Sequence, residues 1–166
     1  MAYSGKFKPK NPSKYRGDYT KIIYRSLKER QVMAFLDQCK DCLEWGSEVT
    51  VVQYLYDVDQ KPHRYFVDFD TKFKTKSGKI VEHIIEYKPA SQCIPPKPSK
   101  TNNWKAKKRY LNESLTYVKN QNKWDAATLY AEKLGKKFIV ISEHDIKDMI
   151  VFKTIVDDDD AVIIKT

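Results

Sequence analysis

The sequence predicts a single-domain α/β fold, with a central mixed sheet flanked by helices and a basic N-terminal arm. Three observations point there. The chain has 166 residues, 41% hydrophobic and 13% aromatic, enough for one core and too apolar for overall disorder. A capped amphipathic stretch is followed by runs of β-branched and aromatic residues around a Ser-Gly turn. Two more helical periods and a short, wholly apolar run complete the pattern.

Taken in order, residues 1 to about 20 are basic, hold Gly5, Pro9, Pro12 and Gly17, and show no apolar period. They read as an extended arm with polyproline II character. Ser26-Leu27-Lys28-Glu29 matches a capping box, and Leu27, Ala34, Phe35, Leu36, Cys39 and Leu43 continue a helix to about residue 43. Trp45-Gly46 breaks it. Three strands follow: 49–56, then 64–74 after a turn at 57–62, then 79–88 after a hairpin turn at Ser77-Gly78. Residues 89–100 form a Pro-rich loop that ends the third strand.

A helix over about 104–119 places Trp104, Leu111, Leu115 and Val118 on one face, with Lys105, Lys108 and Arg109 elsewhere on its circumference. A second helix, with Asn122 as its cap, runs to Leu134 ahead of Gly135, and its buried stripe is Trp124, Ala127, Ala131 and Leu134. Residues 138–141 read as a strand buried on both faces, and Ser142 caps a last helix to about Ile150. Asp157-Asp158-Asp159-Asp160 and Val162-Ile163-Ile164 read as a solvated or partner-docking tail. The organisation expected is an arm over 1–20, one domain over 21–152 and a tail over 153–166.

Charge narrows the function. The net charge is +9; the first 30 residues carry nine Lys or Arg against two acids, and residues 100–109 carry five against none. Such segments fit a polyanion, and along DNA each neutralised phosphate adds salt-sensitive affinity. Arg16, Lys105, Lys107, Lys108 and Arg109 are the candidates. No apolar run approaches the roughly 18 to 20 residues needed to span a bilayer, and the first residues lack a signal-peptide core, so no membrane partner and a cytoplasmic site of synthesis are expected. Three cysteines cannot all pair, which suits a reducing compartment. Cys39 and Cys42 form a C-x-x-C pair, but only Cys93, His63, His83 and His144 remain to complete a zinc site, so unbridged thiols are expected.

The chemistry lies in Glu29, Asp68 and the triplet Glu86-Tyr87-Lys88. Residues two apart on a strand share a face, so Glu86 and Lys88 point one way and Tyr87 the other. The Ser77-Gly78 hairpin sets Asp68 nearly opposite Glu86 or Lys88. Two carboxylates and an ammonium at one point are poorly explained as fold-building. They fit Mg²⁺, with Mn²⁺ as a substitute, held against a phosphodiester. Asp68 and Glu86 supply ligands, the Tyr87 carbonyl a third oxygen, and Glu29 a contact through water or a second ion. Lys88 orients water or offsets transition-state charge. Glu29 also reads as the N3 partner of Ser26, Asp70 competes with Asp68 as ligand, and Glu82 and His83 read as framework.

Helix-Glu, strand-Asp and E-x-K resemble the PD-(D/E)xK nuclease superfamily, in the branch of TnsA-type transposon endonucleases. Several blocks resemble the head-completion nucleases of T-even-type tailed phages: Met1-Ala2-Tyr3-Ser4-Gly5-Lys6, Ser13-Lys14-Tyr15-Arg16-Gly17-Asp18, Tyr24-Arg25-Ser26, Trp45-Gly46-Ser47-Glu48, Arg64-Tyr65-Phe66-Val67-Asp68, Glu86-Tyr87-Lys88-Pro89 and Ala106-Lys107-Lys108-Arg109. They extend in order over roughly residues 1 to 145. The resemblance implies a restriction-endonuclease-like core, metal-dependent DNA cleavage, and action at the packaged capsid before tail joining. It implies Glu29, Asp68, Glu86 and Lys88 as catalytic positions, with Arg25 and Arg64 supporting them or contacting phosphate. It further implies capsid or portal vertex partners, residence in host cytoplasm and then in the virion, and a possible homodimer. A non-catalytic capsid-vertex or DNA-end binding protein is the main alternative, and a restriction or repair endonuclease of the same fold is another.

Overall fold

The chain enters the fold through a segment that is packed down rather than extended. The computed structural model describes residues 3–158 and 160; in it β1 (Gly5–Lys6) pairs antiparallel with β2 (Ile23–Tyr24), and 3-10 turns at Pro12–Lys14 and Tyr19–Lys21 lie between them. α1 (Leu27–Gln38) follows, capped by Ser26, whose Oγ accepts from the Glu29 N–H at 3.1 Å. Lys14 Nζ donates to the carbonyls of Leu36, Asp37 and Cys39 at 3.1, 3.0 and 2.7 Å, closing oxygens that a helix end leaves open. The buried Asp37 carboxylate accepts the N–H groups of Lys10 and Asn11. The expectation of an extended polyproline arm is therefore corrected: its polar groups have partners on α1.

The helix expected to reach residue 43 stops at Gln38, and β3 (Cys42–Ser47) takes over. Cys42 and Trp45 are buried while Leu43 is exposed, which suits a strand and not a continued helix. Phe7 and Tyr15 meet the Trp45 ring edge-on at 5.8 and 4.8 Å, contacts worth about 0.5–1.5 kcal/mol each beyond burial. Gly46 lies so close to the Arg16 carbonyl and Val49 that a Cβ would meet them at 3.1 and 2.5 Å.

β4 (Val51–Tyr56) and β5 (Lys61–Phe66) form a separate antiparallel ribbon. The single strand expected over 64–74 is two strands. β5 ends at Phe66, and β6 (Phe69–Lys74) joins the main sheet after the chain crosses over at Val67 and Asp68. The Val67 N–H bonds the Thr50 carbonyl and the Glu48 N–H approaches the Asp68 carbonyl, at 3.1 and 3.4 Å, so the crossing is fixed by loop contacts. β7 (Ile80–Tyr87) pairs with β6 as predicted from the Ser77-Gly78 turn.

α2 (Trp104–Lys133) is one helix of 30 residues, not two. Asn122 is no cap: its side chain accepts from the Asp57 N–H and donates to the Asp57 carboxylate, both at 2.9 Å, pinning the ribbon's turn. Those bonds outweigh its weak helix preference of about 0.7 kcal/mol. Of the side chains expected to be buried, Trp104, Leu111 and Leu134 are exposed, whereas Ala127 and Ala131 are fully buried. β8 (Lys137–Ile141) lies parallel to β7, giving the mixed order β3-β6-β7-β8.

The last helix was expected from Ser142 to about Ile150. Ser142 instead turns on the Asp145 carboxylate, and α3 (Ile150–Asp157) comes later. Val151, Phe152, Ile155 and Val156 of α3 are buried, so Ile155 and Val156 belong to the core and not to a solvated tail, while Lys153 and Thr154 are exposed. Asp159 and residues 161–166, like Met1 and Ala2, lie outside the described residues, and with them the expected apolar segment Val162-Ile163-Ile164.

Two cores flank the sheet. One joins α1, α3 and the N-terminal segment through Met33, Leu36, Trp45, Phe73, Ile85 and Phe152. The other joins α2 and the ribbon through Val52, Tyr54, Tyr65, Val67, Ile84 and Ala127. No helix among the described residues is long and apolar enough to cross a membrane.

Candidate active site

Strand alternation on β7 divides the triplet as expected. Tyr87 packs against the α1 and α3 core. Glu86 shares the α2 face with Ile84, is 2% exposed, and accepts from the Tyr65 hydroxyl at Oε2, 2.7 Å away. Lys88 Nζ meets Glu86 Oε1 at 2.9 Å. Asp68, at the crossover, accepts the Tyr87 N–H at Oδ2, 2.9 Å away. The ribbon therefore supplies Tyr65, the crossover Asp68, and the central strand Glu86 and Lys88.

The electrostatics are those of a crowded acidic point with a fixed cation. Burial and the nearby Glu86 charge push the Asp68 carboxyl well above the usual range, against the pull of the Tyr87 N–H and the Lys88 ammonium. Burial alone would lower the Lys88 pKa, but Glu86, Asp68 and Glu29 outweigh it and raise the value. These acidic neighbours favour the ammonium form of Lys88.

Glu29 is turned elsewhere. Its Oε1 accepts from Ser26 Oγ and its Oε2 from the Arg25 N–H, at 3.1 and 2.8 Å, so its capping role is present and its field reaches Asp68 and Lys88 from a distance. Arg25 grips Glu48 in a fork at 2.9 and 3.1 Å. Arg16 meets Glu44, Asp70 and Glu82 at 3.0, 3.2 and 3.7 Å, so this expected DNA contact serves the fold. Asp70, the expected rival of Asp68, is buried, accepts from Thr50 Oγ1 at 2.7 Å and pairs with Lys136 at 3.1 Å; its charge is already matched. Arg64 is exposed with its guanidinium 5.8 Å from the Phe66 ring. Lys105, Lys107 and Lys108 are exposed on the first turns of α2, and Arg109 pairs with Glu113. These α2 cations form a set separate from the carboxylates.

Sequence reasoning missed Tyr65 and Lys123. Lys123 projects from mid-α2 over the rings of Tyr65 and Tyr54, 5.2 and 5.9 Å from their centroids. No acid pairs with it among the described residues. Burial lowers its pKa, the Lys88 ammonium adds to this, and Glu86 opposes it. The aromatic alternation of Tyr54, Tyr56 and Tyr65 was visible in the strands, but nothing local marked which helix would cover it.

The residues present fit a divalent cation. The Glu86 charge bears on Asp68, and a hard cation needs only one or two carboxylates beside water and phosphate. Among the described residues no three His, Cys, Asp or Glu converge as ligands, and the Glu29 carboxylate is engaged by Ser26 and the Arg25 N–H. Cys39 and Cys42 are unbridged, and burial pushes the Cys42 thiol up to about 12.

A family model described as TnsA-like endonuclease N terminal matches residues 39–143, a span from just before β3 to just after β8 that includes Asp68, Glu86 and Lys88. The chain belongs to that endonuclease family, and its mixed sheet with flanking helices is a restriction-endonuclease-like fold. It is also 43% identical, over 147 residues, to the head completion nuclease of Enterobacteria phage T4, an alignment covering 89% of this chain and 95% of that protein. No solved structure matches.

Proposed function

We propose that this chain is a metal-dependent DNA endonuclease that acts in phage head completion, hydrolysing phosphodiester bonds at the packaged capsid before tail attachment. The observation that carries this reading is the meeting of Asp68, Glu86 and Lys88 on the end of one sheet. Mg²⁺, or Mn²⁺ in its place, would polarise the phosphate and lower the pKa of the attacking water when bound. Asp68 and Glu86 would hold it, with the Tyr87 carbonyl as a further oxygen and Glu29 acting through water. Tyr65 fixes one oxygen of Glu86 and so aims the other part of the carboxylate at the site. The Lys88 ammonium stabilises negative charge on the phosphate as water oxygen bonds to phosphorus and the bond to the leaving oxygen breaks. Lys123, without a carboxylate of its own, contacts an adjoining phosphate.

On this reading the protein works in host cytoplasm during assembly and then in the virion, against capsid or portal vertex proteins, and a homodimer would serve to cut both strands. A non-catalytic DNA-end role has one observation in its favour: both Glu86 oxygens already have protein partners. Supercoiled plasmid separates the two. Wild type with Mg²⁺ or Mn²⁺ should relax or linearise it, EDTA should stop this, and Asp68→Ala and Lys88→Ala should be inactive. Plasmid left intact by wild type and both variants, while all still bind it, favours the non-catalytic role.

A further inference from the structure

Beside the end of β7 a cleft opens that hydrolysis itself does not use. It lies between the loop after Lys88 and the middle of α2, with a volume of about 420 Å³, within the roughly 300 to 1,000 Å³ of small-ligand pockets. Its polar wall consists of Ser91, Gln92, Asn112, Glu113, Thr116, Tyr117 and Asn120. Among the described residues no Lys or Arg lines it, so it does not gather phosphate. Amides pair with base edges and a tyrosine ring stacks on a base face.

Asn120 adds a second observation. It is 5% exposed, lines the cleft, and its Nδ2 has no hydrogen-bond partner among the described residues. Native folds rarely leave a buried amide in that state without a ligand or water to meet it. The cleft also adjoins the chemistry. Gln92 lies four residues beyond Lys88, a reach of at most roughly 14 Å. Asn120 is one helical turn before Lys123, whose ammonium feels Lys88, Glu86 and Asp68.

We propose that this cleft is a nucleobase subsite, taking an unstacked base of the DNA strand close to the phosphate being cut. The proposal rests on the nuclease reading for its substrate but not on metal. The test is fluorescence anisotropy of the full chain in EDTA with a labelled single-stranded tetranucleotide and its all-abasic counterpart, which carries the same phosphates. Wild type should bind the base-bearing strand about tenfold or more tightly than the abasic one, the stacking of a single base being sufficient for this. Asn120→Leu and Tyr117→Leu, checked for folding by thermal melting, should bring the base-bearing strand to the abasic level. Equal wild-type affinity for the two strands overturns the subsite, whatever the variants do. So does an undiminished preference in both folded variants. Plasmid cutting is scored separately: base preference without metal-dependent cutting defeats the hydrolytic reading alone, and cutting without base preference defeats the subsite alone.

Discussion

Tyr65 and Lys88 hold the buried Glu86 carboxylate from two sides, one from the ribbon and one from the end of the strand. Tyr65→Phe keeps the ring beneath Lys123 and removes only the hydroxyl. Hydrogen bonds to charged groups contribute about 1.5–3 kcal/mol, so urea unfolding should show a loss of that order. Cleavage should slow by about tenfold or more as Glu86 loses its orientation, the kinetic equivalent of roughly 1.4 kcal/mol.

His83, on the same strand, gives a pH signature. It is buried, its Nδ1 has no partner among the described residues, and burial lowers its pKa to about 4, with the Lys137 ammonium adding to the effect. The folded value lies below the unfolded 6.5, so its contribution is whole above pH 6.5 and is lost as pH falls toward 4. That window corresponds to roughly 3 kcal/mol. Urea unfolding across about pH 4 to 7 should show the loss in wild type and a flatter profile in His83→Leu. At this scale the approach of Glu86 and Lys88 was legible because residues two apart near a strand end share a face, whereas Asp68, expected within a strand, lies at the crossover between β5 and β6. Tyr65 and Lys123 were not legible, because their roles arise only where the ribbon meets α2.

Elements were misread where tertiary contacts override local preference. Residues 64–74 look like one strand because the apolar and aromatic run continues through Val67, yet the Thr50 and Glu48 contacts break it there and free Asp68 from regular pairing. α2 looks like two helices because Asn122 resembles a cap, yet its side chain holds Asp57. The unbroken helix carries Lys105, Lys107 and Lys108 away from the carboxylates on a common rod. Replacing all three with Ala should weaken DNA binding and reduce the salt slope by about 0.9 for each phosphate no longer neutralised. The melting temperature should not move, since these side chains are exposed. A slope unchanged across a salt series, read by anisotropy, would remove α2 from the DNA path.

Across the molecule, the basic N-terminal segment is tied to the fold and not extended as an arm. Lys14 closes α1, Arg16 neutralises a carboxylate cluster, and Phe7 and Tyr15 clasp Trp45. Deleting residues 1–21 should therefore lower the melting temperature markedly, and any fall in DNA affinity should follow the loss of folded protein. A truncated chain that melts like wild type but binds DNA weakly would restore the free-arm view. The α/β class and the antiparallel pairing around Ser77-Gly78 were readable because they depend on local period and turn chemistry; the internal use of positive charge depends on folded neighbours.

The central claim concerns the point where crossover and central strand meet. Crystals soaked in Mn²⁺ and measured at the manganese edge test it most directly. An anomalous peak between the carboxylates of Asp68 and Glu86, within reach of the Tyr87 carbonyl, is the predicted result. Peaks confined elsewhere, for instance at Asp157 and Asp158, with Asp68 and Glu86 unligated, would contradict it.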